Sequence, residues 1–93
     1  MNITQHRFNE NLKHLPTNAA MKLILNSGIR RKYSKLLVYW YVDELSYSDI
    51  ADRLCMTEES VGNSLCLARK ELKSILELNL NEDIKKEAEL LFR

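Results

Sequence analysis

The feature that most constrains this chain is an apolar stripe, Val61, Leu65, Ala68, Leu72 and Ile75/Leu76, recurring every three or four residues. That spacing puts the side chains on one side of an α-helix, whereas a strand, with its period of two, would scatter them over both faces. Thr57 stands ahead of the stripe as an N-cap, and Glu58 and Glu59 fall in the first turn, where the helix dipole favours carboxylates. A shorter pattern precedes it. Ser46-x-x-Asp49 reads as a capping-box variant opening a helix over Tyr47 to Leu54, with Ile50, Ala51 and Leu54 facing inward. Cys55-Met56 is the turn between the two. A short helix, a turn of three or four residues and a longer second helix make a helix-turn-helix. In that geometry the first helix braces on a phosphate backbone while the N-terminal part of the second enters the major groove. Ala51 supplies a small side chain where the two helices cross.

The rest of the chain reads as helical too. Two glycines and one proline in 93 residues leave few turn signals for a sheet. The one continuous β-like run, Leu36 to Val42, lies inside a helical pattern. A first helix is expected between Thr4 and His14, ended by Pro16. Asn18 is expected to cap a second over Ala19 to Leu25, stopped at Ser27-Gly28. A third runs from Arg30 to Asp43, with Tyr33, Leu36, Leu37, Trp40 and Tyr41 at helical spacing. Trp40 is read as core rather than as a base-stacking platform. Asn79 and Asn81 punctuate the chain before a last amphipathic helix, Glu82 to Phe92, with Ile84, Ala88, Leu91 and Phe92 on its apolar side. The expected fold is all-α, a small helical bundle of five to six helices containing a helix-turn-helix. Its length fits a single domain 1–93, with an N-terminal helical extension (1–28), a helix-turn-helix core (30–76) and a C-terminal helix (81–92).

Composition narrows the function. With 45% hydrophobic and 29% charged residues, the chain is ordinary globular protein. No apolar run approaches the roughly 18 to 20 residues of a membrane span, and the polar N-terminus lacks a signal peptide's apolar core. Cys55 and Cys66 make neither a disulfide framework nor, with no histidine beside them, a zinc site; reduced thiols in a cytoplasmic protein are the expectation. His6 and His14 have no acidic partner and are read as neither catalytic nor metal-binding. There is no Ser-His-Asp set, no paired-carboxylate site and no phosphate loop, so no enzyme and no cofactor is expected.

Net charge is only +1, but it is unevenly placed. Residues 1–35 hold seven Lys/Arg against one Glu, whereas residues 36–61 hold one Arg against six acids. Residues 62–76 are net +2, and 77–93 net −2. Any nucleic-acid contact has to come from local patches.

The wording of the motif adds to its geometry. The run Val42-Asp43-Glu44-Leu45-Ser46-Tyr47-Ser48-Asp49-Ile50-Ala51-Asp52-Arg53-Leu54, then Thr57-x-x-Ser60-Val61 and Leu65-x-x-Ala68-Arg69-Lys70-x-Leu72, resembles region 4 of the sigma-70 family, above all that of extracytoplasmic-function sigma factors. The resemblance covers roughly residues 30 to 76. It implies a transcription regulator that contacts double-stranded promoter DNA through its second helix and the core RNA polymerase through the β-flap. Nothing resembling the −10-binding region 2 is present. A free-standing regulator, or one half of a split factor, is therefore expected if the chain is whole.

The DNA-facing surface departs from the family. There the second helix commonly reads Thr-Val-Lys-Ser-Arg-Leu-Ser-Arg-Ala-Arg; here it is Ser60-Val61-Gly62-Asn63-Ser64-Leu65-Cys66-Leu67-Ala68-Arg69. The buried positions persist, but three basic ones have become Gly62, Ser64 and Leu67, and the turn glycine is Cys55. Each cation withdrawn from a phosphate lowers the salt slope of binding by roughly one unit. The candidate DNA contacts are Thr57, Glu59, Ser60, Asn63, Ser64, Leu67, Arg69, Lys70 and Lys73, Asn63 being suited to adenine. Arg30, Arg31, Lys32 and Lys35 are candidate phosphate contacts. Cys66 and Leu67, apolar and off the buried stripe, suggest a second covered surface, met by the last helix or by a partner. Two functions follow. One is a DNA-binding regulator acting with RNA polymerase. The other is a protein-interaction module of the same fold that binds polymerase or a sigma or anti-sigma subunit and has little use for DNA. Residues 1–28 and 82–92 are candidates for homodimerisation.

Overall fold

The structure, a computed structural model, describes residues 3–78 and 85–93. Among them it contains helices and turns and no strand. Helix α1 spans Gln5–Lys13, and the Thr4 hydroxyl oxygen accepts the Arg7 N–H at 3.1 Å to cap it. Its buried side chains, Phe8 and Leu12, are four residues apart and so share one face. Helix α2, Thr17–Asn26, starts earlier than the sequence suggested. Pro16 occupies its N-cap position with no side-chain cap, and Asn18 lies inside the first turn, its side-chain oxygen accepting the Ala19 N–H at 3.0 Å. The fixed φ of proline already suits a helix start, so the chain coils two residues before the better capping side chain. Ser27 and Gly28 end α2 as expected. The Ser27 hydroxyl donates to the Ile24 carbonyl at 2.8 Å, and Gly28 takes φ +83°, a left-handed angle that glycine adopts freely.

Helix α3, Arg31–Leu37, runs directly into a π-helical turn, Val38–Val42. The β-like run Leu36 to Val42 is thus helical, and in its Val38–Val42 part the hydrogen bonds reach one residue further than in an α-helix, with the Asp43 N–H donating to the Val38 carbonyl at 2.9 Å. Glu44, at φ 54°, reverses the chain after it.

Helix α4, Tyr47–Leu54, has the boundaries its caps predicted. The Ser46 hydroxyl oxygen accepts the Asp49 N–H at 3.1 Å. Cys55 ends the helix in the left-handed region (φ 56°, ψ 47°), and the Met56 N–H reaches back to the Ala51 carbonyl at 2.9 Å. That is the helix ending in which glycine is usual, so Cys55 holds its angle against roughly 1 kcal/mol of Cβ strain. Helix α5, Glu58–Leu78, follows at once and buries Val61, Leu65, Ala68, Leu72 and Leu76. A short helix α6, Lys85–Leu91, buries Ala88 and Leu91. The expected start of that helix at Glu82, its residue Ile84 and the breaks at Asn79 and Asn81 lie outside the described residues.

Helix α5 is the common wall. It packs on α3 and α4, while α1 touches both α5 and α6, and α2 lies against the π-turn and α6. Phe8, Leu12, Leu23, Ile24, Leu36, Leu37, Ile50, Leu65, Leu72, Leu76 and Leu91 form one continuous core with almost no exposed surface. Each such side chain contributes about 2 kcal/mol by leaving water. The two ends of the chain meet in this core. The Phe8 and Phe92 rings lie 5.6 Å apart, the Asn11 amide donates to the Leu91 carbonyl at 2.9 Å, and Arg7 Nε donates to the Arg93 carbonyl at 2.9 Å. The Leu91 carbonyl ends α6, where backbone acceptors otherwise lack partners, and Arg93 lies just beyond it.

Candidate nucleic-acid interface

At the joint between α4 and α5, the start of α5 is capped by hydroxyl groups. The Thr57 hydroxyl oxygen accepts the Ser60 N–H at 3.1 Å and donates its own hydrogen to Ser60 Oγ at 2.9 Å. Ser60 therefore keeps its own O–H free to donate outward. Downstream on the same side of α5, Asn63, Leu67 and Lys70 are exposed, at intervals of three and four residues from Ser60, with Glu59 beside them. Ser64 is half-buried.

The other cations of α5 point elsewhere. Arg69 follows Ala68 at the border of the buried stripe, and its stem runs inward. Its Nε is buried without a hydrogen-bond partner, and its guanidinium lies by Tyr41 in a notch that Asn9, Glu10 and Tyr47 also line. Burial pushes the Tyr41 phenol above its ordinary pKa, and the positive charge of Arg69 opposes that rise. Lys73 Nζ is matched by Glu77 at 2.8 Å, with only 17% of its side chain exposed. Lys70 is thus the α5 cation that faces outward among the candidates Arg69, Lys70 and Lys73.

Of the basic cluster at the start of α3, Arg30 Nε pairs with Glu71 Oε1 of α5 at 3.2 Å, a contact that water screens because Arg30 is 76% exposed. Arg31, Lys32 and Lys35 are exposed. Sequence reasoning overlooked Arg53. It is exposed in the last turn of α4, beside the joint, with its guanidinium carbon 5.8 Å from the centre of the Tyr39 ring. A basic residue closing the first helix of the motif was the available signal.

Gly62 has a reason that its neighbours in sequence do not reveal. A Cβ there would lie 3.2 Å from Cε2 of Tyr47, whose ring packs on Trp40 with centroids 4.9 Å apart. The aromatic ring of α4 fills the space that a side chain at position 62 would take. Trp40, read from the sequence as core, is only half-buried: it packs against the core and lines a surface notch with Tyr41.

The expected second covered surface at Cys66 and Leu67 is only partly covered. Cys66 is half-buried, while Leu67 is 52% exposed. Helix α6 packs on α1 and α2, and it leaves Leu67 open.

A capped short helix, a tight left-handed reversal and a longer helix with a polar outward side define a helix-turn-helix domain. Residues 29–72, a little under half of the chain, match the family described as sigma-70, region 4, which supports reading that stretch as a region 4 helix-turn-helix. No curated protein and no solved structure matches the chain. The matched family is a transcription-related one. Helices α1 and α6, and α2 as far as Asn26, lie outside the matched residues. No helix among the described residues is long and apolar enough to cross a membrane.

Proposed function

We propose that the chain is a transcription regulator that joins RNA polymerase at promoters and touches double-stranded DNA through the outward side of α5. The observation that carries this reading is the strip Thr57, Ser60, Asn63 and Lys70. It lies at the position from which the second helix of a helix-turn-helix reaches the major groove. Asn63 supplies a donor and an acceptor for a base edge, Ser60 a free hydroxyl hydrogen, and Lys70 one phosphate contact. Ser64 and Glu59 flank that strip, and Arg31, Lys32 and Lys35 are the candidate backbone cations from α3. With so few outward cations, binding is weak and shallow in its salt dependence, with a slope of log K on log salt of about −1 to −4. Promoter selectivity then rests on polymerase holding the domain in place.

A second reading has its own observation. Leu67 sits in the middle of the same strip with half its surface in water, and an apolar residue there suits a protein better than a phosphate backbone. On this reading the strip meets polymerase, or a sigma or anti-sigma subunit, and DNA plays little part. Selection from a random duplex pool at low salt, run beside a pull-down with core RNA polymerase, separates the two. Enrichment of a sequence family together with polymerase capture is expected. Polymerase capture with no enriched sequence transfers the function to the second reading, and failure of both arms removes each of them.

A further inference from the structure

The notch beside Arg69 is one of two open hollows, of about 190 and 200 Å³, that share Lys13, Trp40 and Tyr41 as a common wall. Asn9, Glu10, Tyr47 and Arg69 also line the first, and Glu44 and Leu45 the second. Helix α1, the π-turn, α4 and α5 thus meet around one small space, and α1 precedes the matched residues 29–72. The ionic groups of these walls leave one another unpaired. The ion pairs among the described residues are Arg30–Glu71 and Lys73–Glu77, so Glu10, Lys13, Glu44 and Arg69 form none there. For Lys13 and Glu44, which are exposed, water answers the charge. Arg69 is placed differently. It is half-buried, and its Nε is shut away without a hydrogen-bond partner, which costs free energy. Burial also pushes the neighbouring Tyr41 phenol above its ordinary pKa, so charges meet here with less screening than on the open surface.

That mixture of walls selects an occupant. The rings of Trp40, Tyr41 and Tyr47 favour a flat aromatic molecule. Arg69 and Lys13 favour an anionic group, held by charge-assisted hydrogen bonds. The Glu10 carboxylate and the Asn9 amide oxygen accept from an N–H donor. An apolar ligand would leave Arg69 unmatched, and a bare anion would leave the rings wet and face Glu10. Each hollow is smaller than the roughly 300 Å³ at which drug-sized sites begin, so the occupant is small. We propose that this notch binds a planar aromatic molecule carrying one anionic group and an N–H donor, the chemistry shared by a free aromatic amino acid and a nucleoside monophosphate. Its ring lies against Trp40 and Tyr47, its carboxylate or phosphate takes Arg69 and Lys13, and its amino group donates to Glu10. An amino acid fits the first hollow, and a nucleotide extends into the second. Such a ligand ties α1 to the helix-turn-helix and makes the notch an effector site. The inference goes beyond the reading of α5 and holds whether or not that helix meets DNA.

The test titrates the intact chain with two ligand sets, free phenylalanine and tyrosine in one arm and adenosine and guanosine monophosphate in the other. Acetate and inorganic phosphate serve as ringless controls. Trp40 is the chain's one tryptophan, so its emission reports the notch directly, and calorimetry gives the affinity independently. Saturable binding by at least one set is expected, with a Kd of about 0.1–1 mM for ligands of this size, and the arm that binds identifies the source. Charge reversal at Lys13→Glu, an exposed position, should weaken it about tenfold and leave the fold intact by circular dichroism. Arg69→Met should weaken it further, because that cation is the less screened of the two. The proposal is overturned if neither set binds below about 10 mM, or if acetate or phosphate binds as tightly as the ring-bearing ligands. Binding to Lys13→Glu as tight as to the native chain would equally overturn it, by placing the ligand elsewhere.

Discussion

The two flanks of α5 carry similar residue types and use them in opposite ways. On one flank, Gly62 yields its space to the Tyr47 ring, and Arg69 turns inward beside Tyr41. On the other, Ser60, Asn63, Leu67 and Lys70 stand in water. Arg69 and Lys70 are adjacent in the chain, yet one is part of the scaffold and the other is free to meet a ligand. A cation at the edge of a buried stripe has a long apolar stem to lay down on the core, and a neighbour about 100° further round has none to gain. The difference shows that the basic residues of one helix cannot be counted as one set.

The comparison breaks most visibly at Leu65 and Leu67, which sit close in the chain but on different faces of the helix. Leu65 is fully buried and Leu67 is 52% exposed. Leu65→Ala is expected to cost about 3 kcal/mol through reduced burial and a residual cavity. Leu67→Ala should change stability by less than about 0.5 kcal/mol. Urea unfolding of both variants measures this directly, and equal losses would mean that Leu67 is covered in solution.

A smaller effect is expected at Gly62. Gly62→Lys restores a family cation and gains about 1 kcal/mol of helix propensity, but its Cβ would press on Tyr47 at 3.2 Å. Displacing a packed ring costs about 1–3 kcal/mol, so a net loss of about 1 kcal/mol is expected. Trp40 fluorescence should change with it, since the Tyr47 ring rests on Trp40. A Gly62→Lys variant as stable as the native chain, with unaltered Trp40 emission, would show that the Tyr47 ring is not fixed by position 62.

These residues also mark what the sequence makes legible. The boundaries of α4 and the start of α5 could be read because their determinants are local: Ser46 and Thr57 bond to amides three residues on. The buried stripe of α5 could be read because period is a property of the chain alone. The start of α2 was misplaced because two local signals, Pro16 and Asn18, compete, and the proline prevailed. Cys55 was visible as a missing glycine, and its left-handed angle follows. The inward course of Arg69 and the purpose of Gly62 were not legible, because each depends on a ring contributed by another element, Tyr41 in one case and Tyr47 in the other. A glycine inside a long helix was the one trace of that contact.

The finest division between the flanks lies between residues 69 and 70, and it should be readable in salt. Lys70→Met is expected to lower the slope of log K on log salt by about one unit on non-specific duplex DNA, leaving stability unchanged. Arg69→Met is expected to leave the slope alone and instead to move Tyr41. Burial raises the folded-state pKa of that phenol and Arg69 holds it back, so removing the guanidinium lets it rise further. A phenol with a raised folded pKa contributes stability that is fully present below its unfolded value near 10 and lost as pH climbs through the folded value. Arg69→Met should therefore widen the gap between the two values and steepen the alkaline loss of stability, while the Tyr41 titration followed by ultraviolet absorbance moves to higher pH. If Arg69→Met lowers the salt slope as much as Lys70→Met does, Arg69 swings out to the phosphates when DNA is present, and the two flanks are not distinct in the complex.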